Sequence, residues 1–199
     1  MPSSPLHHLQ MSESNEWYTP PEVIEIARLT MGHIDLDPAS NPIAQQWIQA
    51  TRCLTQSDDG LSLPWYGNIW LNMPYGWHPG TRKSSVDIWA RNLNLQIFSG
   101  SVEQACVLVG GRHLNLPGVQ ALMDGHDSRL QTAVLFFGER IKFLRIPEDK
   151  IGNATADDLE VVNAPTGNNV MIYAGGNVRN FCKHAEDYGT VMVGRYNSW

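Results

Sequence analysis

Long apolar runs are missing from this chain of 199 residues. No stretch approaches the roughly 18 consecutive apolar residues that a membrane-spanning helix needs. Cysteine is scarce: Cys53, Cys106 and Cys182 are odd in number and far apart, so they build no disulfide framework and suit a reducing compartment. The cysteines and seven histidines show no Cys-x-x-Cys or paired-His spacing, which argues against a metal site. Positive charge is short as well. Fourteen Lys and Arg face twenty Asp and Glu, a formal net charge of −6. That excludes a protein that grips nucleic acid by bulk positive charge, and leaves room for an enzyme with a local basic groove. Gly110-Gly111-Arg112 and Ala174-Gly175-Gly176-Asn177 are neither Walker nor dinucleotide fingerprints. Ser84-Ser85 has no triad context. Repeats and low-complexity tracts are absent.

Residues 1–16 are polar and lack the basic-then-apolar pattern of a signal peptide. The reading is a disordered leader over 1–15 and a single domain over 16–199, in the cytoplasm. A hydrophobic content of 42% is enough for one domain with a real core and too little for two. Seven Trp stand out. Those between Pro64 and His78 are candidates for a wall around a flat ligand.

Thr19-Pro20-Pro21-Glu22 carries a helix-start pattern, with Thr as N-cap, proline in the first turn and an acid at the positive end. Apolar spacing continues that helix to Gly32. Ile34-Asp35-Leu36-Asp37 is a short strand ended by Pro38, followed by a predicted helix over 42–52 and a short strand over 52–55. Further strands are expected at 68–72, 105–109, 170–174 and 190–193, and helices at 86–98, 118–124 and 178–188. Residues 132–137 and 140–144 read as a hairpin, and 153–158 as a loop. Strands and helices alternate, which favours an open α/β sheet covered on both faces. Ligands of such sheets sit beyond the carboxyl ends of the strands. Those ends are Asp37-Pro38, Asn72-Met73-Pro74-Tyr75 and Gly110-Gly111-Arg112.

Asn72 offers an amide oxygen at the end of a buried strand. Pro74 keeps Met73 extended, so the Met73 carbonyl points with the Asn72 amide. Two adjacent acceptors suit an exocyclic amino group, and Tyr75 adds a flat face for a base. An Asn-x-Pro-Tyr turn by itself also serves simply to end a strand.

Four stretches in order resemble the phage-type DNA N6-adenine methyltransferases. They are Asn15-Glu16-Trp17-Tyr18-Thr19-Pro20-Pro21-Glu22, Ile34-Asp35-Leu36-Asp37-Pro38-Ala39-Ser40-Asn41, Asp58-Asp59-Gly60-Leu61 and Ile69-Trp70-Leu71-Asn72-Met73-Pro74-Tyr75-Gly76. The similarity runs from about Asn15 to Gly189. It implies a small Rossmann-like S-adenosylmethionine-dependent methyltransferase with a mixed central sheet, acting on adenine N6 in DNA, in a host cytoplasm if phage-encoded. S-adenosylmethionine is the implied donor, held by Tyr18, Thr19, Pro20, Asp35, Asp37, Pro38, Ala39 and Asp59. Of the acids, Asp37 is expected to touch the donor's cationic end, Asp59 its adenine; Asp35 is read equally well as a structural carboxylate, and Asp59 as a plain turn. Asn72, Met73, Pro74 and Tyr75 are the implied catalytic set. Arg82, Lys83 and Arg112 are the expected DNA contacts. No metal and no membrane partner are expected.

One residue departs from the pattern. Met73 stands where the family has proline, which removes a fixed φ and predicts a looser carbonyl. Two other readings stay open: a relative acting on RNA or on a protein amide, since Asn-x-Pro-Tyr serves any planar amino acceptor, and, because of Met73, a non-catalytic member that binds donor or DNA.

Overall fold

The computed structural model describes residues 17–125, 130–150, 154–163 and 168–194; the expected leader lies outside them. A seven-stranded sheet runs in the order β2-β1-β3-β4-β8-β5-β9. These strands are β1 (Leu36–Asp37), β2 (Arg52–Cys53), β3 (Gly67–Asn72), β4 (Val102–Gly110), β5 (Gln131–Phe137), β8 (Asn169–Gly175) and β9 (Gly189–Val193). β2, β1, β3 and β4 are parallel, whereas β8 lies antiparallel between β4 and β5, and β9 pairs antiparallel on the outer edge of β5. The fold is α/β with a mixed sheet, compatible with a Rossmann-like arrangement. Among the described residues no helix is long and apolar enough to cross a membrane.

Period-two alternation explains why the sheet needs cover on both faces. Along β4, Cys106 and Leu108 join one core with Trp70, Tyr173 and Leu135. Ala105, Val107 and Val109 join the other with Ile69, Leu71 and Ile172. Helices α1 (Pro21–Met31) and α5 (Val178–Ala185) cover the first face. Helices α3 (Ser85–Phe98) and α4 (Pro117–Asp124) cover the second. Trp65 and Trp70 are fully buried in these cores, so of the Pro64–His78 tryptophans only Trp77 is left for a ligand.

Several elements differ from the sequence expectation. The helix over 42–52 shrinks to α2 (Gln45–Ile48), because Gln49 takes a left-handed φ of 53° and stops it. The helix predicted over 178–188 ends at Ala185 and tightens into a 3₁₀ turn, Glu186–Tyr188. The predicted hairpin does not form. β6 (Lys142–Arg145) instead pairs with β7 (Glu160–Asn163) in a separate two-stranded sheet. Ile141 and Phe143 are buried in the first core beside Tyr18 and Ile24, and that burial draws β6 off the sheet edge.

From β1 the chain passes to β2 on one side, and β3 then lies on the other side of β1. The order reverses there, so the crevice beyond the carboxyl ends of β1 and β3 is the topological switch point where ligands of open α/β sheets bind. Asp37 ends one of these strands and Asn72 the other.

Candidate active site

Asn72 reaches the crevice because Gly67–Asn72 is an apolar interior strand that stops at the turn before Pro74. Its Nδ2 donates to Thr19 Oγ1 at 3.1 Å. Its Oδ1 is buried and has no hydrogen-bond partner. Thr19 is itself fixed. The Tyr18 backbone exchanges hydrogen bonds with Leu144 at 2.8 and 2.9 Å, and Trp47 Nε1 donates to the Thr19 carbonyl at 3.0 Å. Thr19 does not cap α1: the N-cap is Pro20, which makes no side-chain cap bond. The hydroxyl that the local pattern assigns to the helix end orients the Asn72 amide instead. The amide nitrogen is thereby committed and the amide oxygen is left over.

Met73 follows with its side chain 1% exposed, packed in the second core. The looseness expected of a residue that is not proline at this position is thus offset by an anchored side chain. Pro74 is exposed. Tyr75 is 40% exposed, and its ring lies 5.2 Å from that of His113 at a 46° tilt. Its hydroxyl is shut in: burial pushes its pKa up to about 12, against hydrogen bonds from the Gly110 backbone and Asn169 and the charge of Arg112. A Cβ at Gly110 would stand 3.3 Å from His113 Nδ1 and 3.4 Å from the Tyr75 ring, so glycine lets the tyrosine settle over the end of β4. The same surroundings hold His113 below its ordinary pKa, through burial first and Arg112 second.

At the end of β1, Asp37 is 2% exposed. Its carboxylate accepts from Ala39 N–H at 3.3 Å and from Gln45 Nε2 at 3.0 Å, with Ser40 a further donor. Burial dominates those bonds and raises its pKa to about 6. The expected open contact with a charged ligand is therefore corrected: the carboxylate faces inward and shapes the Pro38–Ser40 loop. Asp59 is exposed. The next residue, Gly60, packs so closely on the Pro38 carbonyl that any Cβ would collide with it, and its own carbonyl accepts from Trp65 Nε1 at 2.7 Å. That contact sets Asp59 next to the loop that follows β1. Asp35 is not carried there. It lies at the opening of β3, where it accepts from Asn68 N–H at 2.8 Å and pairs with His33 at 3.1 Å, a structural carboxylate.

Tyr18, Thr19 and Pro20 are all buried, and Asn41 Nδ2 donates to the Tyr18 hydroxyl at 3.4 Å. The segment before α1 thus links the loop after β1 to the end of β3. Arg82, Lys83 and Arg112 are exposed; the first two lie in a turn that starts right after Tyr75, and Arg112 follows β4. Sequence reasoning missed the partners of Tyr75, His113 and Asn169. Asn169 is a buried polar residue at the start of β8, opposite Gly110, a position that only the antiparallel pairing defines. Among the described residues no group of three His, Cys, Asp or Glu side chains is placed to hold a metal.

No protein-family model, curated protein or solved structure matches this chain.

Proposed function

We propose that this protein transfers a methyl group from S-adenosylmethionine to the N6 amino group of adenine in DNA. The observation that carries the reading is Asn72 Oδ1, a buried acceptor without a partner at the sheet's switch point. Leaving such a group unpaired costs about 1–3 kcal/mol, which an amino-bearing ligand would recover. Its neighbour, the Met73 carbonyl, is held by a buried side chain. An amino group that donates one hydrogen to each would have its lone pair drawn out of conjugation with the ring and turned toward the donor's methyl. Tyr75 offers the exposed ring on which the extruded base stacks, with its hydroxyl too basic to ionise.

The residues at β1 fit the donor's chemistry. Asp59 is an exposed acid on the turn that Gly60 holds against the Pro38 carbonyl, and the inward-facing Asp37 shapes the Pro38–Ser40 loop. A cationic ligand is favoured where a carboxylate lacks a countercharge. Tyr18, Thr19 and Pro20, tied to the loop after β1 through Asn41 and Tyr18, would form the other wall, and Pro38 and Ala39 the floor. When bound, the donor supplies an electrophilic methyl on a sulfonium. The chain supplies position: it orients the amino nitrogen, and the proton released from that nitrogen passes to solvent. Proximity of this kind is worth several orders of magnitude in rate.

The test is transfer of labelled methyl from S-adenosylmethionine to DNA, RNA and protein in parallel. Label in DNA supports the reading. Label only in RNA or protein keeps the amino acceptor and overturns the substrate, and no label anywhere overturns the enzyme.

A further inference from the structure

Trp77 is 74% exposed, whereas Trp65 and Trp70 in the same stretch are buried. It does not hang on a loose loop. Trp77 and Ser84 form an antiparallel bridge, His78 N–H donates to the Lys83 carbonyl at 2.9 Å, and Ser85 N–H donates to the Gly76 carbonyl at 2.9 Å. Thr81 closes the tip through its N–H and hydroxyl, both on the His78 carbonyl at 3.1 and 3.0 Å. Gly76 and Gly80 turn the chain with φ of 89° and 70°. The result is a short hydrogen-bonded finger that presents an indole to solvent, with exposed Arg82 and Lys83 on its return side.

Charge says what the finger faces. The chain is acidic overall, at −6, yet residues 60–86 contain no Asp or Glu at all. A polyanion would meet two exposed cations over this stretch, and the nearest acid beyond it, Asp87, lies close to Lys83 but is paired with Arg91 at 2.8 Å. The finger also starts at the residue after Tyr75, so at most about 7 Å of chain separates the Trp77 and Tyr75 Cα atoms. An indole costs the free surface apolar exposure, and it has a flat face that stacks on any base.

We propose that Trp77 stacks into the DNA duplex at the position the target adenine vacates, with Arg82 and Lys83 on the neighbouring phosphates. This rests on the methyltransferase reading and adds the residue that fills the gap. The finger is pre-ordered, so insertion costs little conformational entropy.

The experiment measures binding of the full chain, with S-adenosylmethionine present, to three DNA probes: a plain duplex containing the methylated site, the same duplex with the target adenine replaced by an abasic position, and single strand. The parent should prefer the abasic duplex to the plain one. Trp77→Ala should bind the plain duplex about 10- to 100-fold more weakly, the range for one lost base stack, and should lose the abasic preference. Trp77→Phe should restore part of both. Trp77→Ala should leave the salt slope unchanged, whereas Arg82→Ala or Lys83→Ala should each lower it by about one. Donor affinity, read by calorimetry, should be the same in all variants. A Trp77→Ala protein that methylates and binds like the parent overturns the stacking role and leaves the methyltransferase reading standing. A parent that binds none of the three probes overturns both.

Discussion

Thr19→Val is the most informative single perturbation, because it touches Asn72 without altering Asn72. Valine replaces the hydroxyl with a methyl, so volume is kept and the hydrogen bond from Asn72 Nδ2 at 3.1 Å is lost. Thr19 is buried, and Asn72 Oδ1 is already unpartnered, so the change leaves the whole Asn72 amide without a partner. The expected cost is about 1–2 kcal/mol, the desolvation penalty of one stranded polar group. In urea, at a slope of about 2 kcal/mol per molar, the midpoint should fall by roughly 0.5–1 M. Stability alone does not assign the loss to this pair, so the assay is a double-mutant cycle with Asn72→Ala. A coupling energy of about 1 kcal/mol is expected, as for residues in one hydrogen bond. Turnover should fall by about tenfold or more, since a rotated amide no longer aims its oxygen. Strict additivity of Thr19→Val and Asn72→Ala would refute the claim that Thr19 orients the amide.

Other outcomes follow from the same site. Asp37 has its folded pKa raised to about 6 from 3.8, so its contribution to stability is fully present below pH 3.8 and is lost as pH rises through 6. Between pH 4 and 7.5 the difference in unfolding free energy between the parent and Asp37→Asn should shift by about 2 kcal/mol in the variant's favour; a flat difference in urea titrations would show that Asp37 titrates normally. Met73→Ala should cost about 2–4 kcal/mol by emptying a buried site, while Met73→Leu should cost under about 1.5 kcal/mol and keep turnover. Chemical denaturation paired with the labelled-transfer assay reads both. Gly60→Ala should weaken donor binding in calorimetry by displacing the turn that carries Asp59 from the Pro38 carbonyl, whereas Asp35→Asn should alter stability and leave donor affinity alone.

Much of the frame was legible because it depends on local pattern. Apolar runs bounded by Gly and Pro located β3, β4 and β8, and helical spacing located α1 and α3 to within a residue or two. The three chemically rich strand ends do lie on one side of the parallel strands. What stayed hidden was decided by partners distant in sequence. Thr19 reads as an N-cap because its neighbours make a helix start, and only Asn72, 53 residues away, claims its hydroxyl. β6 reads as the second arm of a hairpin, and only the burial of Ile141 and Phe143 beside Tyr18 takes it elsewhere. Asp35 and Asp37 read as alternating along one strand, yet β1 holds only Leu36–Asp37, and Asp35, just before it, bonds Asn68 near the opening of β3 while Asp37 turns inward under the loop after β1. Met73 lies just past its strand, where no periodicity remains to announce that it is buried.

The central claim is that Asn72 and the Met73 carbonyl present an adenine amino group for methylation. It is tested most directly by incubating DNA with the protein and S-adenosylmethionine, digesting the DNA to nucleosides and measuring N6-methyladenine by mass. The expected result is N6-methyladenine formed by the parent and none by Asn72→Ala, with donor affinity of the variant nearly intact. Equal yields from parent and Asn72→Ala, or a methylated nucleoside other than N6-methyladenine, would contradict it.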